Sequence, residues 1–325
     1  MKKRLLALFL TLMVIFGLLA GCGTSNNDQK ANKNSQSKTE QTAFPVTIKD
    51  GLGDKVTIKH KPKRIVSLIP SNTEIAFDLG LNKQIVGVSD FDNYPKAALK
   101  KTKIGGENMN VEKIISLKPD LVLAHASSAH NSRDGLKQLR EAGIPVLVVN
   151  DAESFNQVYQ SIQMIGQATG TNKKADQIIN DMKSKVAAIQ EKAKQVPKDK
   201  EKRVYIEVSG SPDIYTAGQG TFMNEMLNII HAKNVAANQK GWVKISEESI
   251  VKDNPDVILT TYGYYQKNAV KNLLKRPGWG NVAAVKNKQV YDVNSDLVNR
   301  PGPRLVDGLE EMAQMVYPDV FKNKK

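Results

Sequence analysis

The 325-residue sequence predicts an α/β protein built as two lobes of similar topology, each with a mostly parallel sheet, joined by a long helix. Three observations carry this. Short aliphatic strands alternate with helices up to about residue 150 and again from about residue 202. Between those limits no strand can be placed, and Ala175, Ile178, Ile179, Met182, Val186, Ile189 and Ala193 recur at helical spacing. The second alternating segment repeats residues of the first. The chain also exceeds the roughly 250–300 residues at which a single core usually stops growing.

Phe44 to Ile58 reads as two short strands around the turn Asp50-Gly51-Leu52-Gly53. Arg64 to Ile69 is a strand stopped by Pro70. Ser71-Asn72-Thr73-Glu74 has capping-box spacing, which predicts a helix from there to about Gly80 with Glu74 as its capping acid. Strands follow over Gln84–Val88 and Asp120–Ala124, around a short helix over Glu112–Leu117. A helix over Arg133–Ala142, closed by Gly143, leads to the strand Val146–Val149. Phe155–Ala168 reads as a helix feeding the long one, which ends before Pro197. In the second segment, Arg203–Val208, Asp256–Thr260 and Gln289–Val293 are strands. Thr221–Ile230 and Arg304–Val316 are helices. The aliphatic runs in these strands suit parallel sheets covered on both faces.

The repeat is explicit. Asn110-Val111-Glu112-Lys113-Ile114 leads to Pro119-Asp120-Leu121-Val122-Leu123, and Ser246-Glu247-Glu248-Ser249-Ile250 leads to Pro255-Asp256-Val257-Ile258-Leu259. From glutamate to proline is seven residues in both. Glu112 and Glu248 each stand two residues after a good N-cap. An acid there offsets the helix dipole. Its duplication also offers two matched anionic knobs to a partner with two copies of a basic socket.

Composition narrows the class. With 25% charged and 40% hydrophobic residues, most of the chain is neither disordered nor a multi-span membrane protein. One cysteine excludes an intramolecular disulfide and a Cys-built zinc site. Lys2, Lys3 and Arg4 precede an apolar run, Leu5 to Ala20, that is too short to span a bilayer and reads as an export signal. Leu19-Ala20-Gly21-Cys22 resembles the lipobox of bacterial lipoproteins. The resemblance implies cleavage before Cys22, lipid on that residue, and tethering at the extracytoplasmic face of the cell membrane. The expected divisions are a signal peptide over 1–21, a polar tether over 22–43, lobes over 44–153 and 201–325, and linking helices over 154–200. The formal charge is +14, but Lys and Arg are scattered, without a dense stripe or interleaved aromatics, so nucleic acid is not an expected partner.

The exported body resembles the substrate-binding lipoproteins of ABC importers for cobalamin, haem and iron–siderophore complexes. The cues are RIVSLIPSNTEIAFDLG, VGVSDFDNYP, NMNVEKIISLKPDLVLA, TFMNEMLNII, KISEESIVKDNPDVILT, RPGWGNVAAVKNKQVYDV and RPGPRLVDGLEEMA. The resemblance implies two Rossmann-like lobes bridged by one rigid helix, with ligand in the cleft between them. It implies a monomer with no cofactor and no resident metal, working with a permease homodimer and its ATPase subunits. It places Glu112 and Glu248 on permease arginines.

The closest likeness is to cobalamin-binding members, in the SNTEIAF, VGVSDFDNYP, MNVEKI and SDLVNRPGPR segments. There Phe91 falls on a pocket tyrosine and Trp242 on a pocket tryptophan. Asp296, Leu297, Val298, Asn299 and Arg300 fall on a ligand-touching loop. His125 stands where those members carry a tryptophan, and Gly106 near another. An iron chelate or haem is the alternative cargo, with Tyr262, Tyr264 and Tyr265 positioned after a strand to line the second lobe; tyrosinate can ligate haem iron. Arg300 suits a ligand carboxylate or phosphate, or a neighbouring acid.

An enzyme is not expected. GxSxG, P-loop, HExxH and GxGxxG motifs are absent. His60, His125, His130 and His231 are too dispersed for a free-metal carrier.

Overall fold

A computed structural model describes residues 43–321. The signal segment, Cys22 and the tether through residue 42 lie outside the described residues. The chain opens with an antiparallel hairpin, β1 (Val46–Lys49) and β2 (Lys55–Ile58), around the predicted turn. The N-terminal lobe then runs β3 (Ile65–Ser67), α1 (Pro70–Asp78), β4 (Ile85–Val88), β5 (Thr102–Lys103) and α2 (Val111–Ser116). It continues through β6 (Leu121–His125), α3 (Ala126–Ala129), α4 (Arg133–Glu141) and β7 (Val146–Val149). Its five strands lie in the order β5-β4-β3-β6-β7, all parallel.

Two helices follow without an intervening strand: α5 (Phe155–Thr169) and α6 (Asn172–Ala193). At 1.5 Å per residue α6 is about 33 Å long. Ser154 caps α5 by accepting from the Gln157 amide, and Gly170 ends it in the left-handed region. Gly166 permits close approach of the two helices, since a Cβ there would lie 2.7 Å from that of Ala175.

The C-terminal lobe comprises β8 (Arg203–Ser209), β9 (Tyr215–Ala217), α7 (Phe222–Ile229), β10 (Lys233–Asn234), β11 (Trp242–Lys244), α8 (Glu247–Asp253) and β12 (Val257–Thr260). It ends with α9 (Ala269–Leu274), α10 (Ala283–Lys286), β13 (Val290–Asp292), α11 (Ser295–Val298), α12 (Leu305–Val316) and α13 (Pro318–Phe321). Its path is β11-β9-β8-β12-β13, with β10 also on β8. β8, β10, β12 and β13 are parallel, whereas β9 and β11 add an antiparallel edge.

The two-residue alternation of strands sorts the core. Ile65, Leu121, Leu123, Leu147 and Val149 face one side of the first sheet. Val66, Val122, Ala124, Val146 and Val148 face the other. Val204, Ile206, Val257 and Leu259 of the second sheet join the first of these clusters, together with Ile162, Ile179, Met182 and Leu309. One apolar core therefore runs from lobe to lobe through α5, α6 and α12. The join is a packed layer, broader than a single helix, and dense packing of this kind resists bending.

The repeated Pro-Asp motif has a structural cause. Asp120 accepts from the amides of Lys63 and Arg64 at 2.8 and 2.9 Å, and Asp256 accepts from the amide of Arg203 at 2.8 Å. Each aspartate pins the start of its lobe's first strand beside the strand that follows the motif.

One expectation is corrected. The Ser71–Glu74 segment is no capping box: α1 begins at Pro70, after Ile69, and no side chain caps it. Proline suits the first helical position because its missing N–H would have no helical partner there. Glu74 is thereby carried inside the helix, where it is 1% exposed.

Candidate functional site

A cleft of about 500 Å³ lies between the lobes. It collects loops beyond the carboxyl ends of β3, β4, β6, β7, β12 and β13, the place where parallel α/β sheets usually present ligand sites. Seven of the eight predicted pocket residues line it: Phe91, His125, Trp242, Tyr264, Asp296, Asn299 and Arg300.

Tyr262 does not, and the expectation that it lines the cleft is corrected. It is 1% exposed and donates to Glu207, which is fully buried. Arg276 grips the same carboxylate through Nη1 and Nη2 at 2.9 and 2.8 Å. Burial and the Glu207 charge push the Tyr262 phenol far above its ordinary range. This residue holds the second lobe together, while Tyr264, two positions on, stands out at 73% exposure on the cleft side.

Four aromatic rings border the cleft: Phe91, Phe222, Trp242 and Tyr264. Phe222 carries no pocket signal in the sequence, where it reads only as part of a helix. It opens α7 behind the cap of Thr221 and meets Trp242 edge-on, with centroids 5.4 Å apart. Phe91 packs against Gly106, where a Cβ would lie 3.0 Å from the ring's Cζ. The glycine at this position leaves room for the Phe91 ring.

The polar rim is already internally bonded. Arg300 donates through Nη1 to Glu74 at 2.9 Å and to Asn93 at 2.7 Å, and pairs through Nη2 with Asp296 at 2.8 Å. Asn93 donates to Asp296 at 2.9 Å. Arg304 also grips Glu74 and lies 3.7 Å over the Tyr94 ring. Of the two roles open to Arg300, the structure displays the pairing with acids. Asn299 turns its amide onto Ser295 at 2.8 Å. Asn93, Ser127 and Asp151 are cleft residues that sequence reasoning missed. The only available signal was that each follows a predicted strand or a quoted segment.

His125 ends β6 and caps α3. Its Nδ1 accepts from the Ser127 amide at 3.3 Å and lies 2.8 Å from the Ser127 hydroxyl. The neutral ring then carries its proton on Nε2. Burial lowers its pKa below the ordinary 6.5, and nearby Asp151 opposes that shift. Among the described residues no group of three or more His, Cys, Asp or Glu is placed to hold a metal ion, and no helix is long and apolar enough to cross a membrane.

Glu112 and Glu248 are both exposed, at equivalent second positions of α2 and α8. Asn110 accepts from the Lys113 amide at 2.8 Å, and Ser246 from the Ser249 amide at 3.2 Å. A backbone amide and the Ser246 hydroxyl hold the Glu248 carboxyl below its ordinary pKa.

Residues 65–297 match the family described as periplasmic binding protein. The chain belongs to this family. Its members bind a transported ligand rather than a cofactor. Over 322 residues, 99% of this chain and 100% of the relative, it is 58% identical to an uncharacterized ABC transporter substrate-binding lipoprotein of Bacillus subtilis. It is 32% identical over 283 residues to a cobalamin-binding protein of Halobacterium salinarum, covering 85% of this chain and 75% of the relative. A solved structure from Staphylococcus epidermidis, described as a possible iron-binding (periplasmic solute-binding) protein, matches with a TM-score of 0.72 and 42% identity. It covers 79% of this chain and 100% of that one. The fold is shared with that Staphylococcus structure.

Proposed function

We propose that this chain is the extracytoplasmic substrate-binding lipoprotein of an ABC importer, that it captures cobalamin or a related corrinoid between its lobes, and that it delivers this cargo to a permease homodimer with ATPase subunits. The observation that carries the reading is the ring of four aromatic side chains around a cleft of about 500 Å³, with Asn93, Ser127 and Asn299 between them. A corrinoid presents a broad apolar face and an amide rim, and such a cleft supplies flat walls with few polar contacts. Lipid on Cys22 would hold the protein at the membrane. Glu112 and Glu248, exposed on matched helices, would engage one permease subunit each.

The test is a fluorescence titration of the full-length lipoprotein in detergent. Trp242 is 39% exposed at the cleft and is the reporter, while Trp279 is buried. Saturable quenching by cyanocobalamin at sub-micromolar concentration, about −8 kcal/mol or better, supports the corrinoid reading. Its absence, with binding of haem or a ferric siderophore instead, would replace it. That second reading is favoured by Tyr264, whose phenol stands free at the cleft, and by the resemblance to the Staphylococcus protein.

A further inference from the structure

We infer that the cleft selects metal complexes with a neutral or cationic rim, and that Asp151 sets this preference against carboxylate- and catecholate-rimmed ones. The inference rests on the proposed reading of the cleft as a corrinoid or iron-chelate site. Among the described residues the charged groups lining the cleft are Asp151, Asp296 and Arg300. The single cation is already engaged, paired with Glu74 and Asp296 and donating to Asn93. Glu74 is in turn matched by Arg304, so these four charges cancel.

Asp151 is different. It follows β7 on the exposed wall of the cleft, with no hydrogen bond or ion pair among the described residues, and its charge acts on the buried His125. An anionic ligand would have to shed water here without meeting a free cation, and that penalty is large for a full charge. Pro70 and Ser71, at the uncapped start of α1, also line the cleft. A helix end carries about half a unit charge at most. It suits the carbonyl oxygen of an amide or hydroxamate, and it does not outweigh the unpaired carboxylate.

The experiment uses the full-length lipoprotein in detergent and two series that vary charge on a fixed scaffold. One is cyanocobalamin with none, one or three of its side-chain amides hydrolysed to carboxylates. The other is a linear ferric trishydroxamate whose terminal amine is free, acetylated or succinylated. Within a series that binds, each added negative charge should weaken binding about tenfold at low ionic strength, the order expected for partly screened charges. Asp151→Asn should narrow the spread, and Asp151→Lys should reverse it. Equal or tighter binding of the more anionic member would overturn the inference while leaving the cargo reading intact. An unchanged spread in Asp151→Asn would overturn the assignment to that residue. No binding in either series would overturn the cargo reading and this inference with it.

Discussion

Arg304 closes a two-point fork on Glu74 across the lobes, Nε to Oε2 at 2.8 Å and Nη2 to Oε1 at 2.7 Å. Glu74 is inside the N-terminal lobe's α1, and Arg304 immediately precedes α12 of the C-terminal lobe. Because the acid is almost wholly buried, its charge is stable only while both arginines face it. Glu74→Gln leaves the Arg304 guanidinium without the anion it grips and leaves Arg300 with Asp296 alone. The expected cost is about 3–5 kcal/mol. The Lys185–Asp307 pair, with side chains 63% and 47% exposed, provides the contrast. Lys185→Ala should cost under about 1 kcal/mol. Urea denaturation of both variants checks this, and comparable losses would contradict the burial argument.

Tyr262 and Tyr264 should separate in function. Tyr262→Phe removes a hydrogen bond to the buried Glu207 carboxylate. A bond to a charged group is worth about 1.5–3 kcal/mol. The variant should lose stability of that order and keep its ligand affinity. Tyr264→Ala touches an exposed side chain at the cleft and should do the reverse. Paired unfolding and titration curves decide it. A drop in affinity for Tyr262→Phe equal to that of Tyr264→Ala would place both at the ligand.

The regions read correctly from sequence are those where local pattern and tertiary burial agree. β6 up to His125, and β7 along its whole length, are aliphatic because both faces of a parallel sheet are covered, so their position is visible in the chain itself. β5, β9 and β11, of two or three residues, have no such run to mark them in the sequence. Glu74 misled for a related reason. Its spacing from Ser71 is that of a capping box, but the groups that decide its role are 226 and 230 residues away. Tyr262 and Tyr264 look alike in sequence, and only the folding of the loop after β12 sends one to Glu207 and the other to the cleft. Asp151 carries only the weak signal of following a strand, because a lone acid in that place is ordinary.

His125 should give stability a pH dependence of predictable sign. Burial depresses its folded pKa below the ordinary 6.5. Between the two values the unfolded chain binds more protons than the folded one, so stability rises with pH through that window and falls as pH drops below 6.5. His125→Gln should flatten this part of the profile. Asp151→Asn removes a charge that raises the His125 pKa, and should widen the window toward lower pH. Urea midpoints collected from pH 5 to pH 8 would expose the effect. A wild-type profile that His125→Gln leaves unchanged would rule it out.

Glu112 and Glu248 should matter for delivery and not for capture. Both stand exposed in the first turn of equivalent helices, and neither lines the cleft. If each meets a basic group on one permease subunit, Glu112→Ala or Glu248→Ala leaves that cation unpaired in the interface. Truncating one partner of such a pair costs about 2 kcal/mol or more, roughly a thirtyfold loss of docking affinity. The double variant should abolish uptake into cells or permease-containing vesicles, and each single variant should be intermediate. Ligand affinity in a fluorescence titration should stay at the wild-type value in all three. Charge reversal on the permease side should restore uptake to Glu112→Lys with Glu248→Lys, since attraction depends on the product of the charges. Weakened ligand binding in the double alanine variant would move these acids from the docking surface to the pocket.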